Sequence, residues 1–363
     1  MRDRGLLPRD GHADGGRRLL PHRPVTIRGR ILPDLQGGDL RRAAAALTIL
    51  PLGGCEGVQS VLDPAGRDAQ VLSDLFWVML IGAVILWVAL NGLIFFVTRI
   101  APQPLSRKGA EALIIGGGIV FPTVVLAGLL IYALSEMPKQ RAEGEGLTLR
   151  VTGHQYWWRV EYWPDGAEAP VVSANEVRLP TGQRSEIKLN AERVIHSFWI
   201  PTLGGKTDMI PGRETRMSLE PEKPGVYRGQ CTEFCGESHA YMAFGAVVMT
   251  PEAFDDWLAR EARDAMTPET ETERRGREVF LAEGCGGCHR VRGTAASGNV
   301  GPDLTHLAGR TTLAAGILPM SHAALRDWIA DPAAFKPGVE MPAYDHLAER
   351  DLDALATYLM SLE

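Results

Sequence analysis

The chain has 363 residues, and 38 basic against 44 acidic side chains leave a formal net charge of -6. That length exceeds one hydrophobic core and supports two or three domains, while so mild an acidic balance argues against a nucleic-acid footprint, which needs a basic excess on one face. Five cysteines are present, each inside a local pattern with its own chemistry, so none is left over for an ordinary structural disulfide.

In chain order, residues 1–40 are rich in Arg, Gly, Pro and Asp without helical or strand period, and no fold is assigned to them. Arg41 and Arg42 then precede a short apolar run at 43–52 and the sequence Gly53-Gly54-Cys55. A basic flank, an h-region too short to span and small residues before a cysteine resemble a bacterial lipoprotein signal. On that reading residues 1–54 are a disordered N-terminus and signal peptide, and Cys55 is acylated and sits in membrane lipid. The alternative is an unmodified thiol in a plain signal peptide.

Residues 55–136 form the next unit. Two stretches, about 75–98 and 112–134, are apolar for the roughly 20 residues needed to cross a bilayer. The short loop between them carries Arg99, Arg107 and Lys108, which places it on the cytoplasmic side. Both ends of this hairpin then face outward, so everything after 136 is expected on the periplasmic or extracellular face of a bacterial inner membrane. Asn91 and Glu111 are expected in an interhelical hydrogen bond and at the interface, respectively.

From 145 to 264 the pattern changes to short alternating segments, such as 147–151, 156–162, 186–189 and 246–249, separated by turns such as Pro164-Asp165-Gly166. This spacing predicts an antiparallel sandwich or small barrel. A late loop holds Cys231, Cys235, His239 and Met242. Thiolates and a thioether are soft ligands and imidazole is borderline, a mixture that favours copper. Two cysteines so close could bridge a pair of metals, each capped by one imidazole. The second imidazole must come from elsewhere: His196 ends an earlier strand, and His154, which follows a glycine at a strand start, competes less well. An oxidising compartment would also allow a Cys231–Cys235 disulfide, but His239 and Met242 at fixed following positions weigh toward copper.

Residues 251–263 predict a short amphipathic helix, and 266–272 read as a linker. The unit 273–363 opens with a helical stretch running into Cys285-Gly286-Gly287-Cys288-His289. C-x2-C-H is the attachment signature of c-type haem, with two thiols for covalent linkage and the next residue as axial imidazole. A bare C-x2-C also suits zinc or redox exchange. Near the end, Leu352, Leu355, Leu359 and Leu362 fall at helical spacing.

Residues 72–250 resemble subunit II of a cytochrome c oxidase. The resemblance rests on Gly153-His154-Gln155-Tyr156-Trp157-Trp158, His196-Ser197-Phe198-Trp199-Ile200-Pro201, Lys206-Thr207-Asp208, Ile210-Pro211-Gly212-Arg213 and Gly229-Gln230-Cys231-Thr232-Glu233-Phe234-Cys235-Gly236. It implies a dinuclear copper centre with Cys231 and Cys235 bridging, His196 and His239 as terminal ligands, and Met242 and the Glu233 carbonyl as weak ones. The Glu233 carboxylate would reach a magnesium ion at the border with subunit I. In many members a Trp follows Gly-His-Gln and admits the electron. Here Tyr156 stands there, followed by Trp157 and Trp158, so these three are candidates for that role, with strand packing as the alternative.

The last unit resembles a class I cytochrome c. Gly301-Pro302-Asp303-Leu304 is similar to the loop covering its haem, and Met341, ahead of Pro342, fits its Met-Pro loop as sixth ligand opposite His289; Met320, ahead of a predicted helix, is the rival. The resemblances together imply a multidomain membrane protein: a two-helix transmembrane hairpin, an all-β cupredoxin-like Greek-key barrel and an all-α cytochrome c domain. Electrons would run from an external cytochrome c or cytochrome bc complex to haem c, to the copper pair, and on to the oxygen-reducing subunit I, with subunit III alongside and proton translocation coupled. Two other readings are the electron-donor subunit of a nitric oxide reductase and a membrane-anchored shuttle without a catalytic partner.

Overall fold

The structure, a computed structural model, describes residues 56–100 and 104–363; the signal segment and Cys55 lie outside the described residues. Helix α1 spans Arg67–Phe95 and continues through a π-helical turn, Phe96–Ile100. Helix α2, Arg107–Ala112, passes through a second π-helical stretch, Leu113–Val120, into α3, Phe121–Gln140. These continuous helices, Arg67–Ile100 and Arg107–Gln140, have 34 residues each and are long and apolar enough to cross a membrane. At ~1.5 Å per residue they reach ~50 Å, beyond the ~30 Å hydrocarbon core. Apolar side chains face outward all round them, Trp87 and Ile131 among the most exposed, a surface that requires lipid or a partner.

Helix α1 begins earlier than the apolar stretch from 75 because its first turn belongs to the β domain. Asp68 is buried there and accepts hydrogen bonds from both terminal nitrogens of Arg184 at 3.1 Å. Among the described residues Asn91 makes no interhelical bond: it donates to the Trp87 carbonyl of its own helix at 2.7 Å. Glu111 pairs with Arg107 one turn back at 2.9 Å.

The β domain has ten strands: β1 Thr148–His154, β2 Trp157–Trp163, β3 Val171–Ala174, β4 Glu176–Pro180, β5 Ser185–Ala191, β6 His196–Trp199, β7 Thr207–Met209, β8 Thr215–Leu219, β9 Gly225–Cys231 and β10 Ala243–Met249. They form two five-stranded sheets, β3-β2-β1-β5-β8 and β4-β10-β9-β6-β7. The expected antiparallel sandwich is mixed, since β1 pairs with β5 and β4 with β10 in parallel. Parallel neighbours need long crossovers, and short alternating segments do not record which distant strand lies alongside. Strands β1 and β2 alternate strictly between buried and partly exposed residues, which puts Leu149, Val151, Trp158, Val160 and Tyr162 in the core. Phe244 stacks on Phe198 at 4.7 Å between ring centroids and meets Trp158 edge-on at 5.1 Å. Burying each such side chain contributes about 1.5–3 kcal/mol. Helix α4, Pro251–Glu261, capped by Thr250, closes one end by setting Trp257 against Tyr162.

The C-terminal domain is helical. Helix α5, Glu271–Ala282, starts in a capping box between Thr270 and Glu273 and packs on the final helix, whose range is Glu349–Met360. Gly276 sets their approach, since a Cβ there would lie 2.0 Å from the Ala354 carbonyl oxygen. Between them run a two-stranded hairpin, Thr312–Leu313 with Leu318–Pro319, and two helices, His322–Ala330 and Pro332–Phe335. This domain is seated on the β domain through polar contacts. Glu176 accepts from the Thr311 amide at 2.8 Å, Arg178 donates to the Gly309 carbonyl at 2.7 Å, and Arg228 donates to the Gly316 carbonyl at 2.6 Å.

Candidate metal centre and haem site

Strand β9 ends at Cys231, a turn carries Cys235, a 3-10 turn spans His239–Tyr241, and Met242 precedes β10. One loop between two paired strands therefore delivers four side chains, and the first residue of β6, His196, faces them from the neighbouring strand. Cys231 Sγ lies 3.9 Å from Cys235 Sγ, 3.8 Å from His196 Nδ1 and 3.3 Å from the Glu233 carbonyl oxygen. Cys235 Sγ lies 3.6 Å from His239 Nδ1 and 3.8 Å from Met242 Sδ. The sulfur separation is far beyond the roughly 2.05 Å of a disulfide, and both thiols are free.

Each sulfur thus has its own imidazole nitrogen, with a thioether on one side and a carbonyl on the other. His196, Cys231, Cys235 and Met242 are all buried. A hydrogen bond between the two thiols holds Cys231 well below the ordinary thiol range, and the same bond, with burial, pushes Cys235 up. This set of two thiols, two imidazoles and a thioether, buried except for the partly exposed His239, fits soft or borderline metal better than magnesium or calcium.

Glycines make room for this arrangement. A Cβ at Gly153 would sit 2.9 Å from the His196 ring, and one at Gly236, with φ +131, would sit 2.4 Å from the Tyr156 hydroxyl. That hydroxyl accepts from the Glu237 amide at 3.0 Å, and Gln155 Nε2 donates to the Cys235 carbonyl at 2.7 Å. Gln155 is a positioning residue that sequence reasoning missed, although it stands inside the quoted Gly-His-Gln stretch.

His154 lies outside the cluster, stacked on Trp157 at 4.3 Å, and burial followed by the nearby Arg159 charge pulls it down to about 4. Of the three aromatics, Trp158 is fully buried and Tyr156 is 5% exposed; Trp157 remains partly exposed, under the Arg159 guanidinium. The Glu233 side chain is exposed, beside the exposed Phe234.

In the C-terminal domain, left-handed Gly284 (φ 74) ends α5 and starts the 3-10 turn Cys285–Gly287. His289 follows, its amide bonded to the Cys285 carbonyl at 2.9 Å. Its Nδ1 donates to the Pro302 carbonyl at 2.8 Å, which fixes the ring and leaves Nε2 as the available ligand atom. Burial holds this imidazole below its ordinary value, toward the neutral form that ligates. A Cβ at Gly301 would sit 2.6 Å from the His289 ring, so the loop at 301–304 lies directly against it. Cys285, Met341 and Met320 all pack at the edge of one core. Two thiols beside an oriented, neutral imidazole and a thioether-bearing loop fit a covalently held haem.

A model of the cytochrome C oxidase subunit II periplasmic domain matches residues 164–249, and a cytochrome c model matches residues 273–363. The chain is 33% identical to cytochrome c oxidase subunit 2 of Alkalihalophilus pseudofirmus, covering 86% of this chain and 94% of that protein. It is 30% identical to the protein of the same name from Bacillus subtilis, over 88% of this chain and 96% of that one. A solved periplasmic domain of subunit II of cytochrome oxidase from Bradyrhizobium japonicum is 30% identical, covers 32% of this chain and 94% of that one, and has a TM-score of 0.30.

Proposed function

The chain belongs to the cytochrome c oxidase subunit II family, as an electron-transfer subunit of an oxidoreductase complex, and we propose that it carries electrons through two centres of its own. Cys231, Cys235, His196 and His239 would hold a copper pair, with Met242 and the Glu233 carbonyl as weaker ligands. Cys285 and Cys288 would hold haem c, with His289 and Met341 as its ligands. When bound, both groups supply reversible one-electron exchange.

The chain's own residues do the rest. The two sheets hold the copper-loop side chains in one geometry, so little rearrangement accompanies a change of charge. Burial of Cys231 and Met242 keeps water off the sulfurs, and the Pro302 carbonyl holds the His289 ring in place. The C-terminal domain receives one electron at a time from an external cytochrome c or bc complex and passes it to the β domain, which delivers it to subunit I for oxygen reduction coupled to proton translocation. The two apolar helices and a lipid on Cys55 hold the chain in the bacterial inner membrane beside subunits I and III, with both soluble domains on the periplasmic side. The Glu233 carboxylate shares a magnesium ion with subunit I.

The observation that carries this reading is the convergence of both histidines, both cysteines and Met242 within 4 Å of a sulfur. Electron arrival through the attached domain is supported by the burial of Tyr156, whose backbone carbonyl is occupied by a side chain of that domain. The test is purification of the native complex with metal and haem counts and parallel assays of oxygen and nitric oxide consumption. Copper, haem and oxygen uptake together are expected. Nitric oxide consumption alone would shift the reaction, and zinc in place of copper would overturn the centre.

A further inference from the structure

Lys336 belongs to the C-terminal domain and is 2% exposed. Its Nζ donates to the Tyr156 carbonyl of the β domain at 2.6 Å and to the Ala314 carbonyl of its own domain at 3.1 Å. Among the described residues no carboxylate forms an ion pair with it. Burial of an ammonium is costly unless it is hydrogen-bonded, and these two carbonyls are its hydrogen-bond partners.

The Ala314 carbonyl belongs to a turn that meets the end of the copper loop, and Lys336 itself opens a segment that meets the loop at a second point. The first is a turn in which Ala314, Ala315 and Gly316 all have left-handed backbone, at φ 50, 59 and 83. Successive non-glycine residues there are strained and persist only where the surroundings hold them. The Ala315 carbonyl accepts from the Ala243 amide at 3.0 Å, one residue beyond Met242. The second point is the segment 336–341 itself. The Pro337 carbonyl accepts from the Ser238 hydroxyl at 2.6 Å, next to His239. Gly338, φ +74, lies so near Glu237 that a Cβ would be 3.0 Å from its carboxylate, and Glu340 pairs with Arg193. From His239 to Met341 the chain is continuous except for one hydrogen bond.

We propose that Lys336 is the positioning residue that seats the C-terminal domain on the copper loop, holding the 314–316 turn and the 336–341 segment together so that electrons cross by the Ser238–Pro337 contact. The proposal rests on the function proposed above. The step it serves moves one electron from the haem side to the copper side, exchanges no proton or bond, and is replenished by the external donor.

The test uses the full chain in its oxidase complex. In Lys336→Met, with copper and haem content at the wild-type level, electron equilibration after flash reduction of the haem should slow at least tenfold, and hydrogen exchange at 237–243 and 313–316 should rise. Wild-type rate and exchange in the loaded variant would overturn the proposal. A second measurement needs no variant: in the wild-type complex Lys336 should resist an amine-acylating reagent while exposed Lys223 reacts, and equal labelling would overturn it. A wild-type complex without copper or haem would instead overturn the proposed function, leaving the seating by Lys336 to be decided by the labelling.

Discussion

The Gly153 Cα faces the His196 imidazole so closely that a Cβ would sit 2.9 Å from two of its ring carbons. Strand β1 therefore sets the position of a ring supplied by β6, in the other sheet. Gly153→Ala should push the imidazole off the Cys231 sulfur and lower copper content at least severalfold, with haem content unchanged. Elemental analysis of the purified chain checks this, and full copper loading would show that the ring has another way to reach the site.

Gln155 holds the copper loop by one bond to the Cys235 carbonyl. Gln155→Ala leaves that carbonyl unpaired, a cost of about 1–3 kcal/mol. At about 1.4 kcal/mol per tenfold, copper should pass to a competing chelator roughly tenfold faster than from wild type. The loss is followed by the decay of the near-infrared copper absorbance.

Met341 and Met320 flank the same core edge, and Met341 lies on the loop ahead of Pro342 that fits the sixth-ligand position. Met341→Ala should abolish the spectrum of a thioether-ligated haem, and Met320→Ala should leave it intact. The reverse pattern would reassign the ligand.

Gly276 lets α5 and the last helix meet backbone to backbone. Gly276→Ala overpacks that crossing and should cost about 1–3 kcal/mol, lowering the C-terminal domain's unfolding temperature by roughly 4–8 °C per kcal/mol. Haem absorbance during heating reports that transition separately from the β domain.

What could be read from sequence follows the range of the interaction. Cys231, Cys235, His239 and Met242 are neighbours along one loop, so their meeting is written in local spacing; His196 is 35 residues from Cys231 and was reached only through its residue type and place at a strand. The parallel pairing of β1 with β5 left no local mark, because either orientation gives the same alternation. The polar first turn of α1 escaped because apolar period records only the part suited to lipid. Lys336 was illegible for a stronger reason. Its partners are backbone carbonyls in two domains, at Tyr156 and Ala314, and a carbonyl has no residue type to read.

The account turns on a copper pair held between Cys231 and Cys235. Electron paramagnetic resonance of the oxidised, purified complex tests it most directly. One unpaired electron coupled equally to two copper nuclei is the predicted result, and a hyperfine pattern from a single copper nucleus, or no copper signal with zinc present, would contradict it.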